Sequence, residues 1–222
     1  MVNTFKYIID KYKIEVGNQY IVDIPNMGRD NLAEVFTELG FNKGAEVGVF
    51  KGKYSEVLCK ANPNLELYGV DAWRVDAHSK GVFTEDEVQL QGYFDKCYKE
   101  TLRRMSPYPK YTVIKKLSTE AAKDFEDNSL DFVYIDAGHD FLNFTLDLHY
   151  WSRKVKVGGI VSGHDYARYP YRKYIHVKRV LEAYAWSYKM IPFFVIGSLE
   201  VREGEVRDRY RSWLWVKDRE LP

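Results

Sequence analysis

Gly44-Ala45-Glu46-Val47-Gly48-Val49-Phe50-Lys51-Gly52-Lys53-Tyr54-Ser55 sets the frame for the rest of the chain. Ala45, Val47 and Val49 read as a short buried strand, and Gly48 and Gly52 bracket a turn that opens into the helical pattern Val57, Leu58, Ala61. Glycine in such a turn lets a ligand lie against the backbone, and the unpaired N–H groups of the next helix's first turn face whatever enters, which suits a small molecule with an anionic end. The plainer reading is that Gly48 and Gly52 only shape a tight turn. Leu65-Glu66-Leu67-Tyr68-Gly69-Val70-Asp71 then reads as a second strand ending in an acid. It falls about 20 residues after the turn, where an α/β nucleotide site sets a carboxylate on ribose hydroxyls.

Upstream, Phe5, Ile8, Ile9 and Tyr12 recur at helical spacing, and a looser segment leads to Pro25. A second helix carries Leu32, Val35, Phe36 and Leu39 and stops at Gly40. Downstream, the capping spacing Thr84-Glu85-Asp86-Glu87 predicts a helix to about Met105 and leaves Trp73 to Phe83 as a loop at the sheet's carboxyl edge. Tyr111 to Lys115 and Leu130 to Asp136 read as strands three and four. A helix from about Asp140 to Arg153 leads through a Gly158-Gly159 turn to strand five, Ile160 to Gly163. Five βα units in series predict a parallel, doubly wound sheet. Val177, Val180, Leu181 and Tyr184 mark a last helix. Pro192 to Ile196 and Arg211 to Lys217, with no helix between them, predict an antiparallel pair.

The 222 residues suit one α/β domain, with no repeat or linker. Lys+Arg 33 against Asp+Glu 32 gives no general attraction to nucleic acid or an anionic membrane. No apolar run is long enough for a membrane span, and the N-terminus lacks a signal-like apolar stretch, so the expectation is a cytoplasmic protein. Cys59 and Cys97 have no metal-type spacing and read as reduced, buried thiols.

Two polar clusters follow apolar strands: Asp136-Ala137-Gly138-His139-Asp140 and Ser162-Gly163-His164-Asp165-Tyr166. If strands four and five are neighbours, Asp136, His139, His164 and Asp165 converge on one mouth beside the glycine turn. Imidazole there suits a general base near neutral pH, and paired carboxylates suit a hard cation that acidifies a bound hydroxyl. The plainer alternative is that such carboxylates only cap helices. The basic aromatic run Arg168 to Tyr174 lies next to this mouth and suits a sugar, phosphate or acidic acceptor, or else a solvated helix entry.

Glu46-x-Gly48-x-x-x-Gly52 followed by Gly69-Val70-Asp71 resembles the opening of class I S-adenosylmethionine-dependent methyltransferases rather than the GxGxxG of dinucleotide dehydrogenases. Tyr134 to His139, Asp147-Leu148, Trp151, Gly158-Gly159 and Gly163-His164-Asp165-Tyr166 narrow the resemblance to small-molecule O-methyltransferases of the macrocin and caffeoyl-CoA type, over about Gly44 to Tyr184. The resemblance implies a Rossmann-like doubly wound sheet of seven strands with an antiparallel last strand. It implies a single domain over 1–222, with a helical appendage at 1–42 and a catalytic core at 43–222. S-adenosylmethionine is the implied cofactor, lined by Glu46, Gly48, Gly52, Ser55, Asp71 and Ser118, with Asp71 on the ribose and Asp136 between cofactor and metal. Asp136 and Asp165 match carboxylates that hold a divalent cation such as Mg. The related metal enzymes carry an asparagine ligand next, where this chain has Tyr166, so a metal-independent form with His139 as base and His164 and Asp165 beside it stays open. The implied partner is a small-molecule hydroxyl acceptor, with oligomeric state undetermined. The alternatives are a nucleotide-binding oxidoreductase, which needs a tighter turn, and a non-catalytic binding module, which would lack Asp71 or the Asp136/His139 cluster.

Overall fold

A computed structural model describes residues 3–75, 87–169 and 174–220. Among these the strands are β1 (Ile21–Ile24), β2 (Lys43–Val47), β3 (Glu66–Val70), β4 (Tyr111–Ile114), β5 (Leu130–Ile135), β6 (Val155–Gly163), β7 (Phe193–Ile196) and β8 (Ser212–Val216). The helices are α1 (Thr4–Tyr12), α2 (Arg29–Glu38), α3 (Lys53–Ala61), α4 (Glu87–Met105), the single turn α5 (Ser118–Ala121), α6 (Phe141–Lys154) and α7 (Val177–Ser187). The strands form one sheet in the order β1-β7-β8-β6-β5-β2-β3-β4. β8 alone runs antiparallel, inserted between β6 and β7. This is the expected Rossmann-like doubly wound sheet with its antiparallel last strand.

Both faces are covered, so strand side chains are buried in alternation rather than on one side only. Val133, Ile135, Phe193, Val195, Trp213 and Trp215 enter a core with α6 and α7. Phe132, Tyr134, Phe194, Ile196 and Leu214 enter the opposite core with α1, α2 and α3. The seven strands expected become eight, because Ile21–Ile24 pairs in parallel with β7. Val22 and Ile24 are buried while Asp23 faces out to Arg211, which gives the edge strand its alternation. The segment read as a helical appendage thus also supplies a strand, and Ile8 of α1 is fully buried. Gly158-Gly159 is likewise not a turn before strand five. β6 already starts at Val155, opposite Leu130, and a register shift absorbs the glycines inside the strand, where Gly158 has φ +85°. No described helix is long and apolar enough to cross a membrane.

The carboxyl ends of β2, β3, β4, β5 and β6 share one edge of the sheet, since these strands are mutually parallel. Most of the Trp73 to Phe83 loop, the start of the helix before Glu87, and part of the Arg168 to Tyr174 run lie outside the described residues.

Candidate active site

Gly48 leaves β2 with φ +94°, and its amide donates to the Val70 carbonyl at 2.8 Å. A Cβ at this position would stand 2.0 Å from the Asp136 carbonyl oxygen. Close backbone approach therefore demands glycine here, rather than the approach of a ligand. Gly52 takes φ +69° as the N-cap of α3. Asp71 braces the turn between them: one carboxylate oxygen accepts from Val49 N (3.0 Å) and Phe50 N (2.9 Å), the other from Trp73 N (2.8 Å). The Gly52 amide donates to the Val49 carbonyl. These turn amides are thus engaged within the protein. Phe50, forced to φ 55°, offers its carbonyl to the Trp73 indole and the Thr101 hydroxyl, so α4 clamps the turn from outside.

Glu46 and Ser55 lie beneath the turn. Glu46 is buried, and burial pushes its carboxyl up to about 8 despite the hydrogen bond from the Ser55 hydroxyl. Ser55 also contacts the Tyr111 hydroxyl at 3.2 Å. The Ser118 hydroxyl donates to Asp147 and accepts from the Trp151 indole at 2.8 Å, which ties it to α6. Burial lifts Asp147 to about 7. Beyond the ends of β3 and β4 opens a cavity of about 290 Å³, lined by Ala72, Trp73, Gln91, Lys115, Leu117 and Glu120 among others. This apolar and polar mixture lies next to the Asp71 turn.

β5 and β6 are neighbours, and the cluster forms at their ends as expected. Asp136 N donates to Val47 O at 2.7 Å, His164 N to Ile135 O at 3.1 Å, and His176 N to His139 O at 2.7 Å, which fixes all three segments. Asp165 sits at φ 63°, a strained conformation for a non-glycine residue. His139 Nε2 lies 2.6 Å from Asp165 Oδ2 and 3.5 Å from Asp136 Oδ1. His164 Nδ1 lies 3.7 Å from Asp165 Oδ1 and 3.9 Å from Asp136 Oδ2. Burial works against the charge of His139, yet hydrogen bonds to Asp136 and Asp165 raise it to about 10. Burial likewise opposes the charge of Asp165, and His139 more than offsets this, lowering its pKa. Asp136, His139 and Asp165 bring one donor atom each within 4.8 Å of one another, a nitrogen and two carboxylates that fit a divalent cation. The Tyr166 hydroxyl turns instead to Glu182 at 2.6 Å and receives Lys178 at 2.5 Å, so it takes no part in this group.

Some neighbours were not singled out from sequence. The Asp208 carboxylate, from the β7–β8 loop, faces His164 Nε2 at 3.3 Å and accepts from Ser212 Oγ at 3.1 Å. Arg29, at the start of α2, lies over the Tyr54 ring at 4.9 Å, and Tyr54 packs on Tyr134 at 4.3 Å. Tyr169, by contrast, belongs to the basic aromatic run expected beside this mouth: its hydroxyl donates to Asp165, and its ring stacks on Tyr210 at 5.4 Å. Asp208 stands among Glu200, Glu203 and Glu205 in a charged loop, where only the Asp-x-x-x-Ser spacing into β8 hints at a partly buried acid.

Comparison with known proteins agrees with this geometry. The structure is similar to a Staphylococcus aureus protein provisionally assigned as a caffeoyl-CoA O-methyltransferase (TM-score 0.57, 11% identity, 96% of this chain and 90% of that one). It is also similar to the O-methyltransferase NovP (0.58, 15%, 86% and 78%), and to cofactor-bound Rv0187 from MTB (0.57, 13%, 100% and 92%). At these identities the likeness is one of fold. An uncharacterized protein, y4gI, of Sinorhizobium fredii is 27% identical over 101 residues, which are 45% of this chain but only 10% of that protein's length. A methyltransferase-domain model matches residues 45–166, from the first core strand through Tyr166. That span exceeds half of the sequence, and the chain belongs to the methyltransferase-domain family.

Proposed function

We propose that the protein is an S-adenosylmethionine-dependent methyltransferase acting on a hydroxyl of a small molecule. The observation that carries this reading is the family match over 45–166, the span that holds both the Asp71-braced turn and the Asp136, His139, Asp165 group. It favours methyl transfer over a nucleotide-binding oxidoreductase. An intact set of Asp71, Asp136 and His139 favours turnover over a silent binding module.

In this reading Asp71 and the cavity beside it take the nucleoside. Gly48, Gly52, Glu46 and Ser55 shape the floor for the methionine part, Ser118 the far wall, and Asp136 the boundary with the acceptor. S-adenosylmethionine supplies an electrophilic methyl carbon on a sulfonium. The chain's part is to hold the acceptor oxygen in line and to remove its proton. The donor atoms of Asp136, His139 and Asp165, all within 4.8 Å of one another, support the form in which these residues hold a divalent cation that would acidify the acceptor hydroxyl. Tyr169 and Tyr210 offer an aromatic wall to the acceptor.

Calorimetry with S-adenosylmethionine is the test. Micromolar-scale binding is expected, with Asp71→Ala weaker by about 1.5 to 3 kcal/mol through loss of charge-assisted hydrogen bonds. Binding of NAD in its place overturns the reading.

A further inference from the structure

Four arginines are partly buried among the described residues: Arg29, Arg104, Arg153 and Arg211. Arg104 holds Glu56 and Glu100, Arg153 holds Asp127, and Arg211 holds Asp23. Arg29 alone of the four forms no ion pair with a described carboxylate, and its guanidinium lies 4.9 Å from the centre of the Tyr54 ring. A contact of that kind offsets only part of the cost of withdrawing a charge from water. The nearest acids are engaged elsewhere. Glu46 accepts from Ser55 and keeps its proton up to about 8, so it brings no full negative charge near neutrality. Asp136 turns one oxygen to His139 and the other towards His164. Burial opposes the charge of Arg29, and Tyr134, Tyr54 and Asp136 more than restore it.

The surroundings fix where this charge stands. Tyr54 belongs to the first turn of α3, two residues after Gly52 and beside Ser55. Its hydroxyl donates to the Arg29 carbonyl at 3.0 Å, and its ring packs on Tyr134, which lies opposite Glu46 in the β2–β5 register. The Asn31 side chain accepts from the Gly28 amide at 2.9 Å and so closes the start of α2 directly before Arg29. Arg29 is thereby held over the Gly52–Ser55 floor, the part of the site that takes the methionine end of the cofactor in the reading above. That end carries an α-carboxylate, a planar anion whose two oxygens match the guanidinium fork.

We infer that Arg29 binds the α-carboxylate of S-adenosylmethionine, so that the chain selects the full cofactor over forms of it that lack this group. The ligand then supplies the counter-charge that Arg29 finds nowhere among the described residues, and the paired carboxylate orients the amino-acid arm and with it the sulfonium. The inference deepens the methyltransferase reading and rests on it for the identity of the cofactor.

The test is calorimetry on the full chain with three ligands: S-adenosylmethionine, decarboxylated S-adenosylmethionine, which keeps the sulfonium and the amine, and 5′-methylthioadenosine, which lacks the whole amino-acid arm. The wild type is expected to bind S-adenosylmethionine about 10- to 100-fold more tightly than the decarboxylated form, the usual size of a charge-assisted hydrogen-bonded pair. Arg29→Gln should weaken S-adenosylmethionine by a similar factor, leave the decarboxylated form as tight or tighter, and so level the two. Arg29→Lys, which keeps the charge without the fork, should fall between wild type and Arg29→Gln. Unchanged binding of 5′-methylthioadenosine shows that a variant is folded. Should Arg29→Gln lose that binding, Arg29→Lys carries the same comparison. A wild type that binds the first two ligands alike, an Arg29 variant that weakens both equally, or one that weakens neither overturns the inference while leaving the methyltransferase reading standing. A wild type that binds none of the three overturns that reading, and the inference with it.

Discussion

Glu46 sits 2% exposed beneath the glycine turn, and burial raises its carboxyl from an ordinary 4.5 to about 8. Between those values the folded chain keeps a proton that the unfolded chain has released, so stability falls as pH rises through the window. Glu46→Gln is expected to melt level with the wild type at pH 4 and above it at pH 8. Parallel melting curves of Tm against pH for the two proteins would contradict this. Gly48 makes the opposite demand, for absence of a side chain. Gly48→Ala combines a left-handed backbone with a Cβ set 2.0 Å from the Asp136 carbonyl, and should cost about 3 kcal/mol or more in urea unfolding. A loss below about 1 kcal/mol, the size of an ordinary Gly-to-Ala change, would show that the turn is not pinned against β5. At this scale the sequence was partly legible. Asp136, His139, His164 and Asp165 stand directly after apolar strands, and adjacency of β5 and β6 brings them together. Asp208 and Arg29, both partly buried, come from a charged loop and a helix start, where charge is ordinarily solvated and little beyond the spacing of Asp208 to Ser212 marks them locally.

Elements were legible wherever burial was continuous. Phe193–Ile196 is apolar throughout because it packs on both faces, and its strand character follows from composition alone. Ile21–Ile24 escaped because it is four residues long, carries an outward Asp23, and becomes a strand only through its pairing with β7. Ile24 nonetheless lies 1% exposed in the core with α1 and α2. Ile24→Ala should cost about 2 to 5 kcal/mol, the range for truncating a buried aliphatic residue, with the urea midpoint as the readout. A change within about 0.5 kcal/mol would return this segment to the status of a surface loop. Gly158-Gly159 was misplaced for a related reason. Paired glycines signal a turn locally, and only the shifted pairing of Leu130 with Val155 shows that the chain is already in the sheet.

At the level of the whole molecule, the family match ends at Tyr166, whereas β7, β8 and the Asp208 loop come later in the chain and α2, with Arg29, comes before the match begins. The Rossmann-like sheet could be read from its βα repeats, and the place of the Asp71 turn at its carboxyl edge from its spacing. The surroundings of His164 and Tyr134 could not, because Asp208 and Arg29 come from segments brought together only by the strand order. β8 carries a further consequence. It is bonded on one side to β6 and on the other to β7, so its detachment would uncover two strand edges at once, in an otherwise formed sheet rich in buried aromatics. Open edges of that kind template pairing between chains. The weak point of this protein for aggregation is therefore the seating of Ser212–Val216, and the same strand that delivers Ser212 to Asp208 also keeps neighbouring copies of the chain apart.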